Sequence, residues 1–178
     1  MMSVFLRGAA ALLMVVGFLL AASLPGAARA TISSTVNNPP NGEADLVVVM
    51  KSERELYLYR HGLIIAQYPI ALGLDPIGTK RRRGDDKTPI GAYTLDWRNP
   101  NSEFHRSIHI SYPDPSDRAH AAALGVAPGN NIMIHGQPDY DDRPRTGDWT
   151  HGCIAVSNRA INQIWAHVPV GTPIHIYP

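Results

Sequence analysis

The run LVVVMKSERELYLYRHGLIIAQYPIAL, residues 46–72, decides the fold class. Leu46 to Met50 is a β-branched apolar stretch, and Glu55 to Tyr59 follows after a short polar break. His61-Gly62 supplies a turn, then Leu63 to Ala66 and Tyr68 to Leu72 read as further strands. Short apolar runs set apart by turn residues predict an antiparallel meander. Beyond it the same reading gives strands at Gly91–Leu95, Ser107–Ser111, Ile132–His135, Cys153–Val156 and Pro173–Tyr177. Helix signals are few. Ser116 can cap a helix over Asp117–Leu124 that Gly125 stops, and Ser157 or Asn158 can cap one over Arg159–His167 ahead of Pro169. The chain therefore reads as one mainly-β domain with one or two short helices.

Upstream of that run, Met1 to Ala30 has the layout of a secretory signal peptide. Arg7 gives the basic start, Gly8 to Leu20 the apolar stretch, and Ala28-Arg29-Ala30 the small residues of a cleavage site. The competing reading is a membrane anchor, but the apolar stretch falls short of the roughly 20 residues that a bilayer span needs. Residues 31–43 contain Asn37-Asn38-Pro39-Pro40-Asn41-Gly42 and read as a disordered linker, which leaves 44–178 as the domain. No transmembrane segment is expected once the leader is removed.

The leader takes two of the 16 basic residues (Arg7, Arg29) and no acids, which leaves 14 basic against 15 acidic residues. A nucleic-acid-binding domain would carry a basic surplus, so that class is excluded. Lys80-Arg81-Arg82-Arg83 reads as a solvated basic loop, with a grip on an anionic substrate as the alternative.

Cys153 is the single cysteine. An exported chain normally uses cysteines in pairs, so a lone thiol is either inert and buried or reactive. Its neighbours bear on the choice. Ile132-Met133-Ile134-His135-Gly136 ends an apolar strand on a histidine and a glycine, and Asp148-Trp149-Thr150-His151-Gly152-Cys153 leads into another strand. An imidazole within reach of a thiol can take its proton, form a thiolate–imidazolium pair, and later protonate a leaving amine. Gly152, lacking a Cβ, lets backbone N–H groups approach a developing oxyanion, and a carbonyl near Gly136 can hold the second imidazole nitrogen. Taken singly, His135 also fits a core histidine and His151 a structural hydrogen-bonder. A zinc site would need His135, His151, Cys153 and a fourth donor such as Asp148, and His-x-Cys is tight spacing for two tetrahedral ligands. No metal and no cofactor are expected.

Thr150-His151-Gly152-Cys153-Ile154, with Ile134-His135-Gly136 placing a histidine eighteen positions before the cysteine, resembles the signature of the L,D-transpeptidase family. Leu72-Gly73, Pro76, Gly78, Gly84-Asp85, Thr88-Pro89 and Gly91 resemble the run that precedes the family's catalytic islands. Ile108–Pro113 and Gly171-Thr172-Pro173-Ile174 fit its branch with a compact catalytic domain. The likeness runs from about Asp45 to Pro178. It implies a β-sandwich-like fold, Cys153 as nucleophile, and His135 as base oriented through the Gly136 carbonyl. It also implies an oxyanion hole around Gly152 and Cys153, His151 lining the site, and Gln137–Asp148 as a covering loop. The implied partner is the peptidoglycan stem peptide, with acyl transfer to an amine of a second stem or of a wall-attached polypeptide. A hydrolase of the same bonds, or a non-catalytic wall-binding module, remains the alternative. The implied setting is the periplasm or cell wall. Two positions depart from the family pattern: Ala155 stands where many members have arginine, and Ile90 where many have an acid. Arg143, Arg145 or Arg81–Arg83 can take over the role of the missing guanidinium.

Overall fold

In the computed structural model the described residues are 41–140 and 145–178. The expected signal peptide (Met1–Ala30) and most of the expected linker lie outside them, as do residues 141–144 of the covering loop.

The opening run folds as the alternation dictates. Strands β1 (Leu46–Met50) and β2 (Glu55–Arg60) pair antiparallel with Val47 opposite Leu58 and Val49 opposite Leu56. All four side chains are fully buried, because every second residue of a strand faces the same way. His61 and Gly62 turn the chain into β3 (Leu63–Pro69), both at positive φ (51° and 78°), as a two-residue hairpin of the primed type demands. The two strands expected over 63–72 are thus one. It ends at Pro69, whose missing N–H cannot continue a ladder. Ala71 and Gly73 make only isolated bridges, to Ala155 and Thr150.

The remaining strands are β4 (Gly91–Ser102), β5 (His105–Ile110), β6 (Met133–His135), β7 (Ile154–Ala155) and β8 (Pro173–Tyr177). They form one hydrogen-bonded order, β3-β2-β1-β8-β4-β5-β6-β7. Strand β4 serves both halves: Gly91–Thr94 pair with β8, while Leu95 onward pairs with β5. Its register shifts at Leu95/Trp97 and Asn99/Ser102, which are the irregularities that let a long strand bend from one layer into the next. The expected β4 was much shorter. Asp96 to Ser102 is polar and contains Pro100, so its extended shape comes from pairing with β5 and not from a hydrophobic period.

Helix α1 (Pro115–Ala123) is capped by Asp114 and not by Ser116. Asp114 Oδ1 accepts from the Asp117 N–H at 2.7 Å, Asp117 accepts in return from the Asp114 N–H, and Pro115 fills the first turn. Helix α2 (Asn158–His167) starts at Ser157, whose Oγ accepts from the Ala160 N–H, and buries Ala160, Ile161 and Ile164. It packs against β5. Residues of both halves of the sheet and of α2 share one core, in which Ile108, Ile110, Ile134, Ile154, Ile174 and Ile176 are essentially inaccessible. Each such side chain contributes about 1.5–3 kcal/mol relative to exposure. Among the described residues no helix is long and apolar enough to cross a membrane.

Candidate active site

With Ile134 and Ile154 facing the core, alternation turns their neighbours to the opposite face. Strands β6 and β7 run parallel with Ile134 beside Ile154, so Met133 and His135 share a face with Cys153, one residue ahead of β7. Across β5, Ser107 pairs with His135 and joins that face. His135, Ser107, Met133 and Cys153 line one cavity of about 330 Å³, walled by Phe104, Trp149 and the exposed Tyr140.

His135 is 4% exposed. Its Nδ1 lies 2.7 Å from the Gly136 carbonyl, and a carbonyl only accepts, so Nδ1 carries the proton. Nε2 is then the nitrogen with the free lone pair. The ring lies against Phe104 at 4.6 Å and meets Trp149 edge-on at 5.6 Å. Burial among these rings pushes its pKa down to about 4, although the Gly136 bond works in the other direction. Burial pushes the Cys153 thiol up, against the Met133 N–H and the charge of Lys80. Both shifts favour the neutral forms over the thiolate–imidazolium pair. The largest cause in each case is desolvation, which disfavours a charged imidazole and a charged thiolate alike. The sulfur accepts from the Met133 N–H at 3.4 Å and donates to the Asn131 carbonyl at 3.5 Å, so its hydrogen bonds are not with His135.

Thr150 shapes the turn into the cysteine. Buried at 4% exposure, its Oγ1 donates to the Cys153 carbonyl at 2.7 Å and accepts from the Gly152 N–H at 3.1 Å. Gly152 has φ +125°, and a Cβ there would meet the Lys87 carbonyl at 2.7 Å. The glycine is required by backbone packing, and its N–H is already engaged. Of the two N–H groups expected to face an oxyanion, that of Gly152 thus has a partner in Thr150, and that of Cys153 has no acceptor among the described residues. Gly136 is confined as well, since a Cβ would meet Asn158 Oδ1 at 2.5 Å.

His151 stands at the mouth with its side chain 84% exposed, its Nδ1 2.9 Å from Asp86 Oδ1. Asp148 turns away from the site: its carboxylate bonds Arg54 Nη2 at 2.7 Å and the Leu72 N–H at 2.8 Å. The four donors of the zinc reading are therefore not assembled, and among the described residues no three metal-ligating side chains converge. The basic run is also not simply solvated. Lys80 is buried and paired with Asp85 at 2.8 Å, while Arg81, Arg82 and Arg83 are exposed. Lys80 lines a second cavity of about 320 Å³ together with Arg83, Asp86 and Asn131, and Cys153 and His151 belong to both cavities.

At the two departures from the family pattern, Ala155 is 1% exposed and doubly bonded to Ala71, and the Ile90 N–H donates to Thr79 Oγ1. Arg145 lies 4.8 Å over the Trp149 ring at the edge of the first cavity. Phe104, Ser107, Asp86 and Asn131 were not expected at the site. Strand pairing brings Ser107 there, Phe104 sits in the turn between β4 and β5, and Asp86 and Asn131 come from loops; no local signal marks them.

Comparison with known proteins bears on the fold and the family. The Escherichia coli K12 protein named "Putative L,D-transpeptidase YafK" is 30% identical over 173 residues, covering 88% of this chain and 64% of its own length. The chain thus spans less than two thirds of that relative. The helical cell shape determining protein Pgp2 of Campylobacter jejuni superimposes with a TM-score of 0.59 at 26% identity, over 77% of this chain and 48% of Pgp2. An L,D-transpeptidase of Xylanimonas cellulosilytica shares the fold at a TM-score of 0.51 and 18% identity, over 78% of this chain and 63% of its own. The family model for the YkuD-type L,D-transpeptidase catalytic domain matches residues 44–176, nearly the whole described fold, and the chain belongs to that family.

Proposed function

We propose that the chain is a peptidoglycan L,D-transpeptidase with Cys153 as nucleophile and His135 as general base. Family membership supports an enzyme acting on wall peptides. The observation that carries the two-substrate reading is the pair of cavities meeting at Cys153, one aromatic and one charged, which suits a donor on one side of the sulfur and an amine acceptor on the other.

In this reading Cys153 Sγ attacks the carbonyl at the L-centre of the third stem residue as its proton passes to His135 Nε2. The Cys153 N–H accepts the load of the developing oxyanion by donating to it. Collapse breaks the bond to the terminal D-alanine, whose amine takes the proton from Nε2 and departs, leaving a thioester. An amine of a second stem or of another polypeptide then attacks, giving its proton to Nε2, and the sulfur recovers that proton on release. Gly136 fixes the tautomer throughout, and His151 with Asp86 meets the incoming acceptor. No metal or cofactor enters any step. Met1–Ala30 acts as a cleaved export leader and 31–43 as a spacer, which puts the domain at the wall.

The test is mass spectrometry of purified muropeptides after incubation with the protein. New cross-linked dimers support transfer. Loss of D-alanine or of an attached polypeptide without dimers makes the chain a hydrolase, and unchanged muropeptides favour a binding module.

A further inference from the structure

The face that carries Cys153 does not end at the first cavity. Strand register places Trp97 opposite His109, His109 opposite Met133, and Met133 beside Cys153, so these four residues form one rung across β4, β5, β6 and the start of β7. Trp97 is on this face only because of an irregularity. Leu95, which pairs with Ile110, is fully buried, and without the register shift Trp97 would point into the core with it. The shift inserts Asp96 as an extra residue, so Asp96 and Trp97 both face outward in succession. Bulges re-aim side chains in this way beside functional sites.

The outcome is an organised surface. Trp97 is 44% exposed and stacks on His109 with ring centroids 5.1 Å apart and planes 21° from parallel. His109 Nδ1 is held by Asp96 Oδ1 at 2.6 Å, and the Asp96 side chain is 41% exposed. One indole face is thus backed by an imidazole that a carboxylate fixes, and both Trp97 and the Asp96 carboxylate remain exposed to solvent. An indole face receives the apolar C–H face of a pyranose, and a carboxylate receives its hydroxyls.

Distance selects which sugar. Three strand spacings put Trp97 about 14 Å from Cys153. A stem peptide acylated at its third residue runs through three residues back to the glycan, about 10–11 Å when extended. The sugar then lies one ring further out, at the distance of the indole. We propose that Trp97, His109 and Asp96 form a saccharide subsite that holds the glycan strand bearing the stem peptide whose acyl group Cys153 receives. This rests on the reading of Cys153 as the acylated residue, and its test separates the two.

The experiment compares turnover of a disaccharide-tetrapeptide with that of the same tetrapeptide freed of sugar, and measures binding of peptide-free glycan strands by tryptophan fluorescence or nuclear magnetic resonance. For the wild type the kcat/KM ratio of sugar-bearing to sugar-free substrate should be about tenfold, the scale of one aromatic stacking contact, and should collapse toward one in Trp97→Ala. Trp97→Phe should retain most of it, and Asp96→Asn should lower glycan affinity. A thermal midpoint near wild type shows that each variant is folded. If Cys153 is never acylated, the peptide-free glycan still decides: binding that Trp97→Ala removes upholds the subsite, and absence of binding by the wild type overturns it. Equal turnover of both substrates by the wild type overturns it as well.

Discussion

His135 donates its Nδ1 proton to the carbonyl of Gly136, the next residue in the chain, at 2.7 Å. One local bond therefore sets the tautomer of a histidine that has no carboxylate partner among the described residues. Phe104 and Trp149 keep it dry, and the same dryness holds its pKa near 4. The base is thus available, uncharged, across the whole neutral range.

Acylation should therefore persist into mild acid and fall only as pH drops through about 4, where Nε2 becomes protonated. No thiolate absorbance should be present at neutral pH, because burial raises the Cys153 pKa above its ordinary value. Ultraviolet titration checks this, and a thiolate band at pH 7 would show a standing ion pair instead.

The same shift couples to stability. The unfolded chain takes up a proton on its histidine near pH 6.5, and the folded one resists until about 4. Between those values the unfolded state binds more protons, so stability is full above the window and is lost as pH falls through it, by about 3 kcal/mol at most. Urea unfolding at the two ends of the window should show the loss in the wild type and a smaller one in His135→Gln.

His135→Ala should slow acylation by at least about 10²-fold, the scale of general base catalysis. Stopped-flow or timed mass spectrometry of adduct formation gives the rate. A near-native rate would shift the proton to another group, with His151 the first to examine.

Gly152→Ala should lose both activity and stability. Its φ of +125° strains any side chain, and the new Cβ would press on the Lys87 carbonyl at 2.7 Å. A cost of about 1–3 kcal/mol is expected from the backbone strain alone. Denaturant midpoints measure it, and a fully stable variant would mean that residues 87 and 152 separate easily.

Asp148→Ala should destabilise by about 1.5–3 kcal/mol, the range for hydrogen bonds to a charged group. It removes the anchor that ties Arg54 and the Leu72 N–H to the segment entering the cysteine turn. Urea titration of Asp148→Ala and Arg54→Ala, singly and together, should show strong non-additivity; simple addition would mean that the two residues act separately.

Much of this was legible in the sequence, for reasons tied to particular residues. Val47, Val49, Leu56 and Leu58 announce their strands by alternation, and His61-Gly62 announces the hairpin. The clustering of His135, His151 and Cys153 follows from two short islands at strand mouths. The parts that could not be read depend on distant pairing. Asp96–Ser102 is extended because β5 lies beside it. Asp86 reaches His151 because Thr88 and Asp86 bond the Gly73–Asp75 backbone, and Gly73 bridges Thr150. Lys80 looked like part of a solvated run, yet Asp85 takes it inside. The burial that pushes the Cys153 thiol up has no signature in residue order.

The most direct test of the central claim is intact-protein mass spectrometry after exposure to a carbapenem. The wild type should gain the mass of one acyl adduct, localised to the peptide containing Cys153, and Cys153→Ala should gain none. An adduct that persists in Cys153→Ala would contradict the account.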